Sequence, residues 1–164
     1  MEDKLEKSRS TVRKYMYWSI GAGFIPVPFL DFAAITGVQV KMLADTGKIY
    51  DIPFSRNRVK NLVAALIGGA LPGPLAFGAF GSTVKMVPIV WPIFGGISVP
   101  LMAGATTYAV GTVFIQHFES GGTFLDFDPE KMKDHFRREF EKGKTVAQEM
   151  TGKKSDHKVP VTAT

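Results

Sequence analysis

Residues 86–118 read MVPIVWPIFGGISVPLMAGATTYAVGTVFIQHF and contain no Asp, Glu, Lys or Arg. Residues 61–84 are equally free of charge, so Lys85 is the one charged side chain between Lys60 and Glu119. A bilayer interior strongly disfavours charges, and a helical span needs about 20 apolar residues. These stretches therefore favour an all-α membrane protein.

Proline and glycine divide the apolar stretches into short pieces. The cleanest continuous helix is expected over residues 99–118. The pairs Pro26/Pro28 and Pro72/Pro74 are expected at the tips of membrane-associated hairpins, in or near lipid.

Helix start and stop signals predict the other elements. A first helix over residues 3–20 should fail at Gly21, and a second should run to about Tyr50, with Asp31 as a suitable N-cap. Ser55 should cap a third helix. The pair Asp128-Pro129 should start an amphipathic C-terminal helix that Gly143 weakens or ends. Four segments follow: 1–14 (basic and amphipathic), 15–118 (apolar membrane-associated core), 119–150 (amphipathic helix) and 151–164 (disordered tail).

The cations lie outside the apolar stretches, mainly in residues 1–14, 41–60 and 119–164. The positive-inside rule then places both termini on the cytoplasmic side of a bacterial inner membrane or of another membrane. The mean hydropathy is only +0.07. A soluble helical domain that buries residues 62–118 within itself or an oligomer is therefore the competing interpretation.

Several exposed cations and one aromatic residue are candidates for a lipid or partner surface, because aromatic side chains beside cations are typical of membrane interfaces. Solvated helix faces are the alternative. These candidates are Lys14, Trp18, Arg56, Arg58, Lys60, Arg137 and Arg138. Nucleic acid is not expected as a partner, since the cations are intermixed with acids.

Small residues recur at spacing four in Gly69/Gly73 and in Ala103/Thr107/Gly111. Such stripes let helix backbones approach closely and favour self-association, so a homo-oligomer is expected. General glycine enrichment in membrane segments is the alternative.

No chemistry-bearing motif is recognisable. The chain has no cysteine, and His117, His135 and His157 match no metal spacing. Phosphate-loop and nucleophile-elbow motifs are also missing from the sequence. We therefore expect no catalytic residue, metal or cofactor. Asp31 is the one acid within an apolar run and is a candidate ion site, although a capping role is the simpler explanation.

Two motifs resemble a known family. The first is Ile25-Pro26-Val27-Pro28-Phe29-Leu30-Asp31, followed by Gln39 and Lys41-Met42-Leu43-Ala44. The second is Lys85-x-x-Pro88, followed by Ala105-Thr106-Thr107-Tyr108-Ala109-Val110-Gly111 and His117-Phe118. Together they resemble the YcjF-like domain of unknown function over roughly residues 10–145. The chain departs from that pattern at Phe29, where glycine is common, and at Trp91-Pro92.

The resemblance implies a helical, membrane-associated domain, often attached to or encoded beside an Era-like or dynamin-like P-loop GTPase. This chain lacks the GTPase part, so a GTPase would act in trans. The leading hypothesis is a non-enzymatic module that inserts apolar hairpins from the cytoplasmic face, binds anionic lipids and self-associates or recruits a partner. The alternatives are a small oligomeric channel or transporter and a soluble helical scaffold or GTPase-regulating domain.

Overall fold

A computed structural model describes residues 2–24, 28–71 and 99–155, with side chains described for 2–24, 34–71 and 100–152. These residues form five helices and no strand, which confirms the all-α prediction. The helices are α1 (Glu2–Ala22), α2 (Pro28–Ile49), α3 (Arg56–Ala70), α4 (Val99–Glu119) and α5 (Pro129–Ser155). Pro26, Pro72 and Pro74 lie outside the described residues, whereas Pro28 is the first residue of α2.

Helix α4 is the core of the bundle. Ala105, Ala109, Val110 and Phe114 are each fully buried. The other helices cover α4 with protein side chains, so its apolar residues gain the free energy of leaving water by packing within the chain. In the described part of the chain, no helix is both long enough and apolar enough to cross a membrane.

Glycines fix the closest approaches to α4. A Cβ at Gly104 would lie 2.8 Å from the Ile20 side chain of α1, and one at Gly111 would meet Val12. The earlier residue of α1, Val12, contacts the later residue of α4, Gly111, and the later residue, Ile20, contacts the earlier one, Gly104. Helix α1 therefore runs antiparallel to α4. The same spacing brings the carboxyl end of α1 to the amino end of α4.

Helix α2 runs parallel to α4. The Gln39 amide Nε2 donates to Thr107 Oγ1 at 3.2 Å, and Met42 lies further along, beside Gly111. Ser19 Oγ of α1 shares a hydrogen bond of 2.7 Å with the same Thr107 hydroxyl. The three side chains form a buried polar cluster that joins α1, α2 and α4, in which Gln39 Oε1 has no hydrogen-bond partner.

Helix α5 runs antiparallel to α4 and crosses it at Gly143. A Cβ there would lie 2.7 Å from the carbonyl oxygen of Ala105. The prediction that Gly143 weakens or ends the helix is wrong, since α5 continues to Ser155. The glycine is required by this crossing, and the packing outweighs its poor helix propensity.

The capping predictions are partly correct. Asp128 accepts a hydrogen bond of 3.0 Å from the Glu130 N–H and so caps α5. Ser55 occupies the N-cap of α3, but its side chain makes no capping hydrogen bond. Asp31 is not an N-cap, because α2 already begins at Pro28.

Two hydrogen bonds between helices involve tyrosines. Tyr15 of α1 donates to the Asp45 carboxylate of α2, and Tyr50 donates to Glu119. Burial and the neighbouring carboxylate raise the pKa of each tyrosine to about 12. Burial opposes ionisation of Asp45, but hydrogen bonds from Tyr15 and Lys41 hold the pKa of its carboxyl below the usual value.

We predict opposite effects of two glycine-to-alanine substitutions on stability. Gly143→Ala should lower the free energy of unfolding by about 1–3 kcal/mol, because the new methyl group meets the backbone of α4. Gly37→Ala is the matched control, since Gly37 is an exposed position of α2 with open space around it. It should raise the free energy of unfolding by about 0.5–1 kcal/mol. Urea unfolding measures both, and equal shifts would contradict the close crossing.

We also predict an alkaline loss of stability that depends on Tyr15. A tyrosine pKa raised in the folded state gives stability that is present below the unfolded value of about 10 and disappears as the pH rises towards 12. The stability advantage of the wild type over Tyr15→Phe should therefore shrink by about 1–2 kcal/mol between about pH 9 and pH 11.5. Urea unfolding at both pH values measures it. Tyr17→Phe, at an exposed tyrosine of α1, is the matched control, and an equal loss of stability relative to both variants would contradict the role of the Tyr15–Asp45 contact.

Candidate functional site: an aromatic and basic end of the bundle

Exposed aromatic side chains lie at the carboxyl end of α1. Trp18 is 64% exposed, Phe24 is 70% exposed and Tyr17 is 48% exposed. The opposite face of the same helix is buried, through Ser8, Val12, Tyr15, Met16, Ser19 and Ile20. The helical period therefore presents Tyr17 and Trp18 to the outside, because their neighbours on the other face are buried, and Phe24 is exposed in the turn that follows α1.

Two cations precede the aromatic residues at spacing four on the same exposed face. Arg13 precedes Tyr17, and Lys14 precedes Trp18, so each pair is adjacent on the helix surface. Lys14 Nζ lies 5.4 Å from the centroid of the Tyr15 ring. Neither cation forms an ion pair with any of the described side chains, and the surface is therefore both apolar and positively charged. We call these residues (Arg13, Lys14, Tyr17, Trp18 and Phe24) the aromatic–basic surface.

The aromatic–basic surface lies where two apolar segments join the bundle. The chain passes from α1 to α2 through the sequence Ile25-Pro26-Val27, and it enters α4 at Val99 after residues 72–98, whose only charged side chain is Lys85. Since the carboxyl end of α1 and the amino end of α4 meet at Gly104, both junctions lie at the same end of the molecule. We call it the amino end of α4.

The other predicted surface cations lie elsewhere. Arg56, Arg58 and Lys60 are exposed on the first turns of α3, at the opposite end of the bundle. The Arg137 Nε donates to the carbonyl oxygen of Ala70 at 2.6 Å and so holds the last turn of α3. Arg138 is exposed and approaches His135. The candidate surface of the sequence analysis is thus divided between two ends and a side of the molecule.

The predicted packing residues that the structure describes contact other parts of the same chain. Ala103 is buried, Thr107 bonds to Ser19 and Gln39, and Gly111 packs against Val12 and Met42. Gly69 lies beneath the side chain of Lys133, and Gly73 is outside the described residues. Thr107 and Gly111 therefore meet other helices of the same chain.

No cluster of metal-ligating side chains occurs in the described part of the chain. The side chain of Asp31, the candidate ion site, is outside the described side chains, although its backbone lies in the first turn of α2. The predicted surface residues did not include Arg13, Tyr17 and Phe24. Arg13 and Tyr17 are four residues apart, directly before Lys14 and Trp18, and this spacing is the signal that would have included them. No comparable signal marks Phe24, which follows α1.

Comparison with known proteins assigns the family. A family model described as a domain of unknown function (DUF697) matches residues 2–145. The chain belongs to this family. Magnetosome membrane protein 22 of Magnetospirillum gryphiswaldense is 31% identical over 147 residues, which are 90% of this chain and 75% of that protein. No solved structure matches the chain. The YcjF-like assignment and the link to a GTPase stay predictions.

Proposed function

We propose that this member of the family is a non-enzymatic helical module that docks on an anionic membrane through the amino end of α4. The observation that carries the proposal is the aromatic–basic surface, where exposed Tyr17 and Trp18 follow the unpaired cations Arg13 and Lys14 by one helical turn and Phe24 is exposed just beyond α1. Tryptophan and tyrosine favour the headgroup region, and lysine and arginine favour anionic lipids.

Two further observations support the proposal. Helix α4 begins at Val99 at this end, and the preceding residues 72–98 carry only one charged side chain, so their composition and that of the Pro26/Pro28 link suit entry into the bilayer. The relative from Magnetospirillum gryphiswaldense is named as a membrane protein. In this proposal the insertion concerns those two segments, whereas α4 stays inside the bundle. Both termini remain on the cytoplasmic side.

Partner recruitment belongs to the same proposal. The resemblance of the two sequence motifs supports a P-loop GTPase acting in trans. A homo-oligomer would need a surface other than Thr107 and Gly111, because those residues already contact α1 and α2. A soluble helical scaffold is the second candidate function, and the complete burial of α4 residues by protein favours it.

The test measures binding to phosphatidylcholine vesicles with and without phosphatidylglycerol. The chain has two tryptophans, so Trp91→Phe leaves Trp18 as the only indole reporter. We expect flotation with the anionic vesicles and a blue shift of Trp18 emission. Because one surface cation contributes about 1 kcal/mol, Lys14→Ala should weaken binding about fivefold.

The control variant is Leu125→Ala. Leu125 is 73% exposed at the opposite end of the bundle, so its loss removes a comparable exposed apolar side chain without touching the aromatic–basic surface. Vesicle binding should be unchanged in this variant. Equal binding to neutral and anionic vesicles would contradict the part played by the cations, and absence of binding to both, with no change in Trp18 emission, would favour the soluble scaffold.

A further inference from the structure

A small pocket opens at the end of the bundle opposite the aromatic–basic surface. Its volume is about 240 Å³, and it lies between the α2–α3 link and the turn that follows α4. The lining residues are mostly apolar: Ile52, Pro53, Phe54, Ser55, Arg58, Thr123, Phe124 and Leu125. Phe54 is 39% exposed and Leu125 is 73% exposed, so two large apolar side chains at the pocket remain open to solvent.

The base of the pocket is preformed. The buried Phe124 ring packs edge-on against Phe118 and Phe54, with centroid distances of 5.0 and 6.1 Å. On one side, the Ile52 N–H donates to the Gly47 carbonyl at 2.8 Å. On the other side, the Thr123 N–H donates to Asp126 Oδ1 at 2.7 Å. Ordering this site on binding would therefore cost little free energy.

One cation, Arg58, lines the pocket, and two more, Arg56 and Lys60, lie on the same first turns of α3. Arg56, Arg58 and Lys60 are exposed and form no ion pair with the described residues, and the first turn of α3 contains no acid. Cations at the start of a helix oppose its macrodipole, so helix stability does not explain their position. An anionic partner would explain it.

The acids at this end already have other partners. Asp51 forms an ion pair of 3.1 Å with Lys4, and Asp126 accepts hydrogen bonds from Thr123. Asp128 caps α5, and Glu119 accepts from Tyr50. The positive charge of the three cations therefore remains available to an external ligand.

The dimensions of the pocket indicate the kind of ligand. Pockets for small molecules and cofactors usually measure about 300–1,000 Å³, so this one is small for them. It suits a single apolar side chain, and its concave shape fits an inserted side chain better than a flat bilayer. We propose that this pocket binds an acidic segment of a protein partner, anchored by one apolar side chain in the pocket and held by Arg58 at its edge, with Arg56 and Lys60 adding positive charge on the same turns of α3.

The choice of a protein rather than a membrane as the ligand rests on the proposed function. Helix α1 has 21 residues and is about 32 Å long, so its two ends are far apart. When the aromatic–basic surface contacts a flat membrane, the pocket faces away from that membrane and is free to recruit a partner.

The test uses a fluorescein-labelled peptide with one central phenylalanine flanked by glutamates, measured by fluorescence anisotropy with the full chain. Two comparison peptides replace the glutamates by lysines or the phenylalanine by serine. We expect the acidic phenylalanine peptide to bind best, with an affinity that falls as salt is added. Leu125→Ala and Arg58→Glu should each weaken its binding about tenfold. Both positions are exposed, so neither change should unfold the protein.

Matched controls separate this proposal from membrane docking. Lys131→Glu makes the same charge change as Arg58→Glu at an exposed residue that does not line the pocket, and it should leave the peptide affinity within about twofold. Trp18→Ala should reduce vesicle binding and keep peptide binding. Loss of vesicle binding in Arg58→Glu, with no peptide binding, would assign this end to lipid and overturn the proposal. It would also be overturned by equal affinity for all three peptides, or by no peptide binding in a chain that binds vesicles.

Discussion

The close approach of helix backbones at glycine is the constraint on which this bundle depends. Gly104 and Gly111 bring α1 against α4, and Gly143 brings α5 against the carbonyl of Ala105. No larger residue fits at these points without displacing a neighbour, because protein interiors are close-packed. The same contacts set the directions of α1 and α5 relative to α4 and so decide which of their residues meet at each end of the molecule. The aromatic–basic surface and the pocket are therefore consequences of one packing arrangement.

The boundaries of several helices could be predicted from sequence because their signals are local. Helix α1 ends at Ala22, before Gly23 and just beyond the predicted end at Gly21, and Asp128 with Pro129 starts α5. The all-α class follows from the same signals. Gly143 was misread because the reason for a glycine there is a contact with Ala105, which is far away in the chain. Local propensity contains no information about such a crossing.

The environment of α4 could not be decided from sequence, since lipid and a protein core both select apolar residues. Small side chains at spacing four also serve close packing in either environment. The buried cluster of Ser19, Gln39 and Thr107 could not be predicted for another reason: its three members come from three helices and are brought together only by the fold.

The candidate surface was predicted in part, because Lys14 and Trp18 are neighbours on one helix. Arg137 was included as a surface cation, but its hydrogen bond to Ala70 depends on tertiary structure.

The two ends of the bundle differ in chemistry. At one end, exposed aromatic residues adjoin apolar segments and unpaired cations, which is a combination suited to a membrane surface. At the other end, a small preformed pocket is lined by the unpaired Arg58, with Arg56 and Lys60 on the same turns of α3, and acids such as Asp51 and Asp128 have internal partners. A single rigid bundle can in this way hold a lipid contact and a protein contact apart.

The central claim is that α4 remains inside the bundle when the protein is on a membrane. Hydrogen exchange followed by mass spectrometry, with and without anionic vesicles, tests it most directly. We expect the amides of α1, α4 and α5 around Gly104, Gly111 and Gly143 to keep their protection on vesicles, and exchange to slow near Trp18 and Phe24. Rapid exchange of the α1 and α5 amides on vesicles would contradict the account, because it would mean that α4 has left its protein neighbours for lipid.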